Sequence, residues 1–389
     1  MSDSEMQQKH MAPEEAPCTT KHANLTVLVE PTSVCNLACL YCYKGEKTAT
    51  FMTNPIMESM FRKVLAYNES REIPCSFVWH GGEPSLIGVE FYEAVFAFLA
   101  KEFGDQTISH TMQTNGTLLT DPLLDLCAKH NVSLGVSLDG PARHHNLMRP
   151  FSDGRPTYDA VMDGLQRAAV RGIDVGILMS VTNDNKTYIG EMFDFCREHR
   201  FTFGLNPISS DLHSMHQGIE VTPENYLAAC KEVFDLWFYQ EDFSIQVNPG
   251  FGISRLILSK NRLSDCFMSE NCQMHFISIG PEGDIYPCNR FYGVEDYRLG
   301  NIVVNDLETA LNSRKRRYLM ARNAEEIKQC RDCPIKNHCN GGCMHHAVVH
   351  HGSLYAPDHL CLVYQGLFEH ATHRLREELA LHDMNATTH

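Results

Sequence analysis

Eleven cysteines at fixed spacings constrain this chain more than any other feature. Three crowd into Cys35-Asn-Leu-Ala-Cys39-Leu-Tyr-Cys42, and eight more, Cys266, Cys272, Cys288, Cys330, Cys333, Cys339, Cys343 and Cys361, occupy the last third. The remaining five of the 16 cysteines, Cys18, Cys75, Cys127, Cys196 and Cys230, are scattered singly. The polar, acidic start MSDSEMQQKHMAPEEAP lacks the apolar stretch of a secretion signal, and no run approaches about 18 apolar residues. A cytoplasmic chain with no membrane partner is expected. In that reducing compartment disulfides do not persist, so clustered thiols point to metal ligation.

The 389 residues carry 33 Lys+Arg against 48 Asp+Glu, a formal charge of −15, which argues against a nucleic-acid partner. At 43% hydrophobic and 21% charged residues the composition is that of a globular protein, not a disordered one.

Between residues 25 and 240, β-branched runs alternate with amphipathic stretches, the pattern of repeated βα units around a parallel sheet. Strands are expected at 25–30, 75–80, 109–114, 132–138, 175–181 and 201–208. A helix over 54–67 starts with Asn54 as cap and Pro55 in its first turn, and places Ile56, Met57, Met60, Phe61, Val64 and Leu65 on one face. Others begin near Phe91, Asp121, Thr157, Tyr188 and Thr222. Right-handed crossovers turn six such units into a partial (β/α)6 barrel of TIM type, whose ligands sit at the C-terminal strand ends. The Cys35–Cys42 triplet, His80-Gly81-Gly82-Glu83-Pro84, Gln113-Thr114-Asn115-Gly116 and Ser137-Leu138-Asp139-Gly140 each follow a strand and converge on that rim. Residues 1–23 and roughly 384–389 read as disordered ends, 24–243 as the barrel domain, and 244–383 as a loop-rich, cysteine-rich domain with a C-terminal helix.

Three thiolates, not four, is the informative number in the first group. An Fe4S4 cube on three cysteines leaves one iron open to a chelating small molecule. A structural zinc wants four ligands, and neither His22 nor His80 completes a pattern. The second set can supply two tetrathiolate sites, which suit zinc or iron–sulfur clusters alike.

CxxxCxxC with the aromatic Tyr41 before its last cysteine resembles the radical S-adenosylmethionine (SAM) superfamily. The resemblance implies that the open iron chelates SAM, and that reductive cleavage yields a 5′-deoxyadenosyl radical that takes hydrogen from a substrate. It implies SAM contacts from Tyr41, from Gly81-Gly82 with the Glu83 carboxylate on the ammonium, from Gln113, Thr114, Asn115, Ser137 and Asp139, and from Arg149 as a carboxylate clamp. The later spacing, CX10GX4C followed by CX2CX5CX3C and a distant Cys361, resembles the SPASM domain of peptide-modifying members, with two auxiliary [4Fe–4S] clusters. By that likeness Cys266, Cys272, Cys288 and Cys343 hold one and Cys330, Cys333, Cys339 and Cys361 the other, three clusters in all. A small reductant such as flavodoxin or ferredoxin is implied as a partner.

QTNGTLL and SLDGP match the anaerobic sulfatase-maturating enzymes, but three pocket positions depart from them. Asn289 stands where they carry an aspartate, the presumed base, His80 replaces a glutamine, and Lys44 replaces a tyrosine. An amide does not accept a proton at neutral pH. The expected function is therefore oxidation or cross-linking of a residue in a peptide or protein, a ribosomally made precursor fitting best. Formylglycine formation on a sulfatase Cys or Ser is the alternative, and a non-enzymatic iron–sulfur redox sensor is the alternative of another class. The scattered cysteines read as core thiols, and His345, His346, His350, His351 and Arg314–Arg317 as solvated helix faces.

Overall fold

The structure, a computed structural model, describes residues 24–45, 49–104, 106, 108–213, 218–240, 244–259 and 266–386. The expected disordered segment 1–23, with Cys18, lies outside the described residues. The six expected strands form at β1 Leu25–Val29, β2 Cys75–Trp79, β3 Ser109–Thr114, β4 Ser133–Ser137, β5 Val175–Val181 and β6 Thr202–Pro207. They pair in parallel in chain order, with Val27 opposite Phe77 and Thr114 opposite Val136. Helices Asn54–Glu69, Val89–Phe103, Asp121–Lys129, Tyr158–Val170, Ile189–His199 and Pro223–Phe238 follow them in turn. In the first helix Met57, Met60, Phe61, Val64 and Leu65 are buried as the spacing predicts, Ile56 is only partly buried, and the cap is Thr53, one residue earlier than expected. Thr222 caps the last helix by accepting from the Asn225 N–H at 3.3 Å.

The sheet does not stop at six strands. Among the described residues it has ten, in the order β10-β9-β8-β1-β2-β3-β4-β5-β6-β7. β7 Val247–Asn248 runs parallel to β6, and β8 Phe276–Ile279 parallel to β1, with Ile277 opposite Val27. β9 Asp284–Tyr286 and β10 Gly300–Asn301 continue antiparallel beyond β8. The cysteine-rich half therefore extends the barrel sheet rather than only covering its rim. An open barrel leaves two edges of unpaired N–H and C=O groups, and β8 and β7 satisfy them.

One apolar core spans both halves, from Val27, Phe77 and Met112 to Ile277, Ile285 and Leu367. A small second cluster, Tyr286, Phe291, Leu319, Met344 and Leu354, lies wholly within the cysteine-rich part. Two surface expectations fail here. Arg316 is 1% exposed and donates to the Leu311 and Gln273 carbonyls, because the short helix Arg314–Met320 packs that face inward. His345 and His346 are buried on Met344–His351, with His346 against Asp358 at 2.9 Å. Cys127, Cys196 and Cys230 are buried core thiols as expected. The C-terminal helix Cys361–Ala386 runs past residue 383. Among the described residues no helix is long and apolar enough to cross a membrane.

Candidate active site

The loop after β1 carries the three thiols, and its conformation is held by a neighbouring segment. Ala38 N–H donates to Pro150 O at 2.9 Å, Leu40 N–H to Met148 O at 3.0 Å, and Leu37 bridges to Phe151. Cys35, Cys39 and Cys42 thereby line one cavity of about 160 Å³ with Gly81, Gly82, Gln113, Thr114, Asn115, Ser137 and Arg149. Most of the sequence-predicted rim is thus brought together. Burial pushes the Cys39 thiol up to about 11, against the pull of Arg149. A thiol held neutral by burial needs a cation beside it to ionise, which an iron group bound by all three sulfurs would supply.

The glycine pair has a second constraint besides ligand access. A Cβ on Gly82 would sit 2.1 Å from Val34 O, and Gly81, at φ +102°, would place one 2.6 Å from Thr32 O. Gly82 N–H donates to Thr32 O and Glu83 N–H to Val34 O, so the turn is pinned to the start of the cysteine loop.

Two expected SAM contacts lie behind the cavity wall instead of on it. Glu83 is fully buried, and protein donors occupy both oxygens: Ser85 N–H and Oγ and Thr114 Oγ1 on Oε1, Asn115 N–H on Oε2 at 2.7 Å. Asp139, also fully buried, accepts from Arg149 Nε at 2.9 Å, Ser180 N–H at 2.8 Å and the Tyr41 hydroxyl. A buried carboxylate needs every lone pair answered, and the backbone nearby is the nearest source of donors. These acids orient the residues that do face the cavity, Asn115 and Arg149.

Lys44, His80 and Asn289 meet around Tyr43. Asn289 Nδ2 donates to the Tyr43 hydroxyl at 2.8 Å and lies 3.4 Å from His80 Nε2. Lys44 pairs with the fully buried Glu30 and lies over the Tyr292 ring at 5.0 Å. Burial, with Lys44 nearby, pulls His80 down to about 4. Its Nδ1 accepts from Gly81 N–H at 2.7 Å, which leaves the proton of the neutral ring on Nε2. Neither residue is set up to take a proton.

The structure sorts the eight late thiols into two groups. Cys266 faces Cys343, Cys272 and Cys288, while Cys330, Cys333, Cys339 and Cys361 line one small cavity. Burial pushes Cys288, Cys343 and Cys339 each up to about 12. Among the described residues no three Cys, His, Asp or Glu side chains close on a single metal ion. The donor sets are all-sulfur and suit iron–sulfur clusters.

A second, larger cavity of about 540 Å³ runs from the barrel interior to Cys266 and Cys343. It shares Gln113, Leu178, Asn206, Pro207 and Arg290 with the first cavity, so the two are contiguous. Sequence reasoning passed over Arg290 and Asn206. Arg290 is two residues from Cys288, a proximity that could have marked it.

Residues 29–196 match the family model of the radical SAM superfamily and residues 266–334 that of an iron–sulfur cluster-binding domain, SPASM. The serine-type anaerobic sulfatase-maturating enzyme of Bacteroides thetaiotaomicron is 30% identical over 345 residues, 82% of either chain. The cysteine-type enzyme of Clostridium perfringens is 29% identical over 371 residues, 90% of this chain and 97% of that one. Native anSMEcpe with bound AdoMet and Cp18Cys peptide superposes with a TM-score of 0.80 at 26% identity, covering 91% of this chain and 98% of that one. SAM and [4Fe–4S] clusters are the cofactors that these domains carry. The chain belongs to the radical SAM superfamily, as a SPASM-containing member of the family of anaerobic sulfatase-maturating enzymes.

Proposed function

We propose that this protein oxidises a side chain in a peptide segment of a protein substrate, converting a cysteine or serine to formylglycine as sulfatase maturases do. One observation carries this reading. The likeness to both cysteine-type and serine-type maturases spans 82–90% of a chain in which one continuous cavity leads from the three-thiol loop to a four-thiol group. In this reading Cys35, Cys39 and Cys42 hold the SAM-binding cluster. Cys266, Cys272, Cys288 and Cys343 hold one auxiliary cluster, and Cys330, Cys333, Cys339 and Cys361 the other. When bound, SAM and its cluster supply a hydrogen-abstracting radical, and the auxiliary clusters accept electrons.

The chain's own residues prepare that reaction. Arg149, fixed by Asp139 and by Ser180 Oγ at 3.1 Å, presents a guanidinium that suits the SAM carboxylate. Gln113, at 3.3 Å from Ser137 Oγ, and Asn115 present amides to the same space. The peptide enters the larger, mostly apolar cavity, and a flavodoxin or ferredoxin serves as reductant.

The Tyr43–Asn289–His80 group favours a second reading. The acids that border it are already paired, Glu30 with Lys44 and Asp211 with Arg290 and His345, so the oxidised residue is one that loses its proton elsewhere, or the product is a cross-link in a precursor peptide.

The test is anaerobic: reconstituted protein, dithionite, SAM and a sulfatase-motif peptide containing cysteine, with mass spectrometry of peptide and nucleoside. Aldehyde peptide with 5′-deoxyadenosine is expected. 5′-Deoxyadenosine with unchanged sulfatase peptides would shift the assignment to the second reading. Neither product would return the chain to the sensor class.

A further inference from the structure

Arg290 stands on the wall common to both cavities, with its side chain 24% exposed and its guanidinium beside Asp211, Nη1 to Oδ2 at 3.5 Å. Asp211 is itself held from behind by His345 Nε2 at 3.4 Å, both side chains fully buried. The cation lies over the Tyr43 ring, 5.5 Å from its centroid, and so next to the Asn289 pocket. On its other side is the four-thiol group. Arg290 N–H is directed at the Cys288 sulfur, and its charge acts on Cys266, Cys288 and Cys343. Cys272 instead feels Arg322 and Arg316, and Cys330 of the other group feels Arg322. Arg290 thus shares the lining of the larger cavity with Cys266 and Cys343, the side of that set on which the peptide is proposed to enter.

We propose that Arg290 is a positioning residue for electron uptake: it holds a fixed positive charge between the substrate cavity and the Cys266–Cys272–Cys288–Cys343 group, and so raises the reduction potential of the cluster on those thiols. Reduction adds one negative charge to a cluster, and a nearby cation in a low-dielectric wall stabilises the reduced form more than the oxidised one. Asp211 orients the guanidinium while partly opposing its field. The inference rests on the ligand assignment made above.

The test is a potentiometric titration of the full-length chain followed by electron paramagnetic resonance, with Cys35, Cys39 and Cys42 replaced by Ala so that only auxiliary clusters load. Two reduction waves are expected, and Cys272→Ala should remove one of them. Failure of that variant to remove a wave would break the ligand assignment and not the role of Arg290. In R290Q the same wave should move to lower potential while the other stays, in R290K it should stay, and in D211N it should move up. Equal potentials in R290Q and wild type at equal iron content would overturn the proposal. Should R290Q fail to hold iron, D211N decides alone: an upward shift of that wave supports the proposal and an unmoved wave overturns it.

Discussion

The barrel and the cysteine-rich part solve the folding problem by different means, though both hold thiols in loops. β1–β6 bury nearly every inward side chain, with Val27, Val29, Phe77, Trp79, Val136, Met179 and Val181 all at 0% exposure, and each strand is backed by a helix of nine or more residues. Beyond β8, apart from the 26-residue C-terminal helix, the elements shrink to strands of two or three residues and helices as short as four, which lean on the shared core and add to it a cluster of only five buried apolar side chains. Apolar burial suffices for the first part and not for the second. The same residue type therefore has opposite duties. On the ligand assignment proposed above, Cys35, Cys39 and Cys42 sit on a loop that the barrel has already shaped, whereas the eight late thiols would shape the loops that carry them.

Removing the metal should separate the two most sharply. Structural metal sites contribute on the order of 10 kcal/mol to small domains, so chelation should abolish hydrogen-exchange protection across 280–360. Protection in β2–β5 should persist. Protection retained on both sides would show that the apolar core shared through β8 is enough by itself.

Core truncation is the converse experiment. Phe77→Ala, deep in the barrel, should cost roughly 3–5 kcal/mol in a denaturant titration and unfold both parts together. Phe291→Ala, in the small cluster, should lower iron retention more than the unfolding midpoint of the barrel. Equal effects on iron content from the two variants would blur the distinction.

Where the two parts meet, Asn289→Asp restores an acid to the Tyr43–His80 pocket. If base strength limits formylglycine formation, turnover of the cysteine peptide should rise about 100-fold, within the usual range for general-base catalysis. An unchanged rate assigns proton loss to another group.

The smallest effect is on pH. His110 is 4% exposed, stacks at 8° with Trp79, has no partner for Nδ1 among the described residues, and is pulled by burial to about 4. Its folded-state value lies below the ordinary histidine value of about 6.5, so between those limits the unfolded chain binds more protons and stability falls as pH falls. Going from pH 6 to pH 5 should cost about 1 kcal/mol through this residue, and His110→Phe should remove that part of the slope. His80, His145 and His350 are pulled to about 4 by the same cause, so a slope unchanged in His110→Phe would assign the dependence to those three.

Much of the barrel was legible because period-2 and period-3.6 patterns report burial directly. All six strands and all six helices lie within about two residues of expectation. The rim motifs were legible as a group for a related reason: they follow strands, and parallel strands end on one side. Their individual duties were not. Glu83 and Asp139 share the rim with Asn115 and Arg149, yet they turn inward to donors from Ser85, Thr114 and Ser180. The inward burial of His345 and Arg316 was equally invisible, because helices of seven or eight residues carry too little periodicity to name a face.

Sequence alone determined the chemistry of this protein: which thiols come in threes and which in fours, which turns are glycine, and where an amide replaces an acid. Those are properties of residue type and spacing along the chain. Only the tertiary structure decided that β8 closes the edge beside β1, that Glu83 and Asp139 turn away from the cavity, and that Arg290 stands between two cavities. Each of these depends on residues tens of positions apart meeting across loops with no repeat of their own, and the compact packing of edges, thiols and charges selects which of them meet.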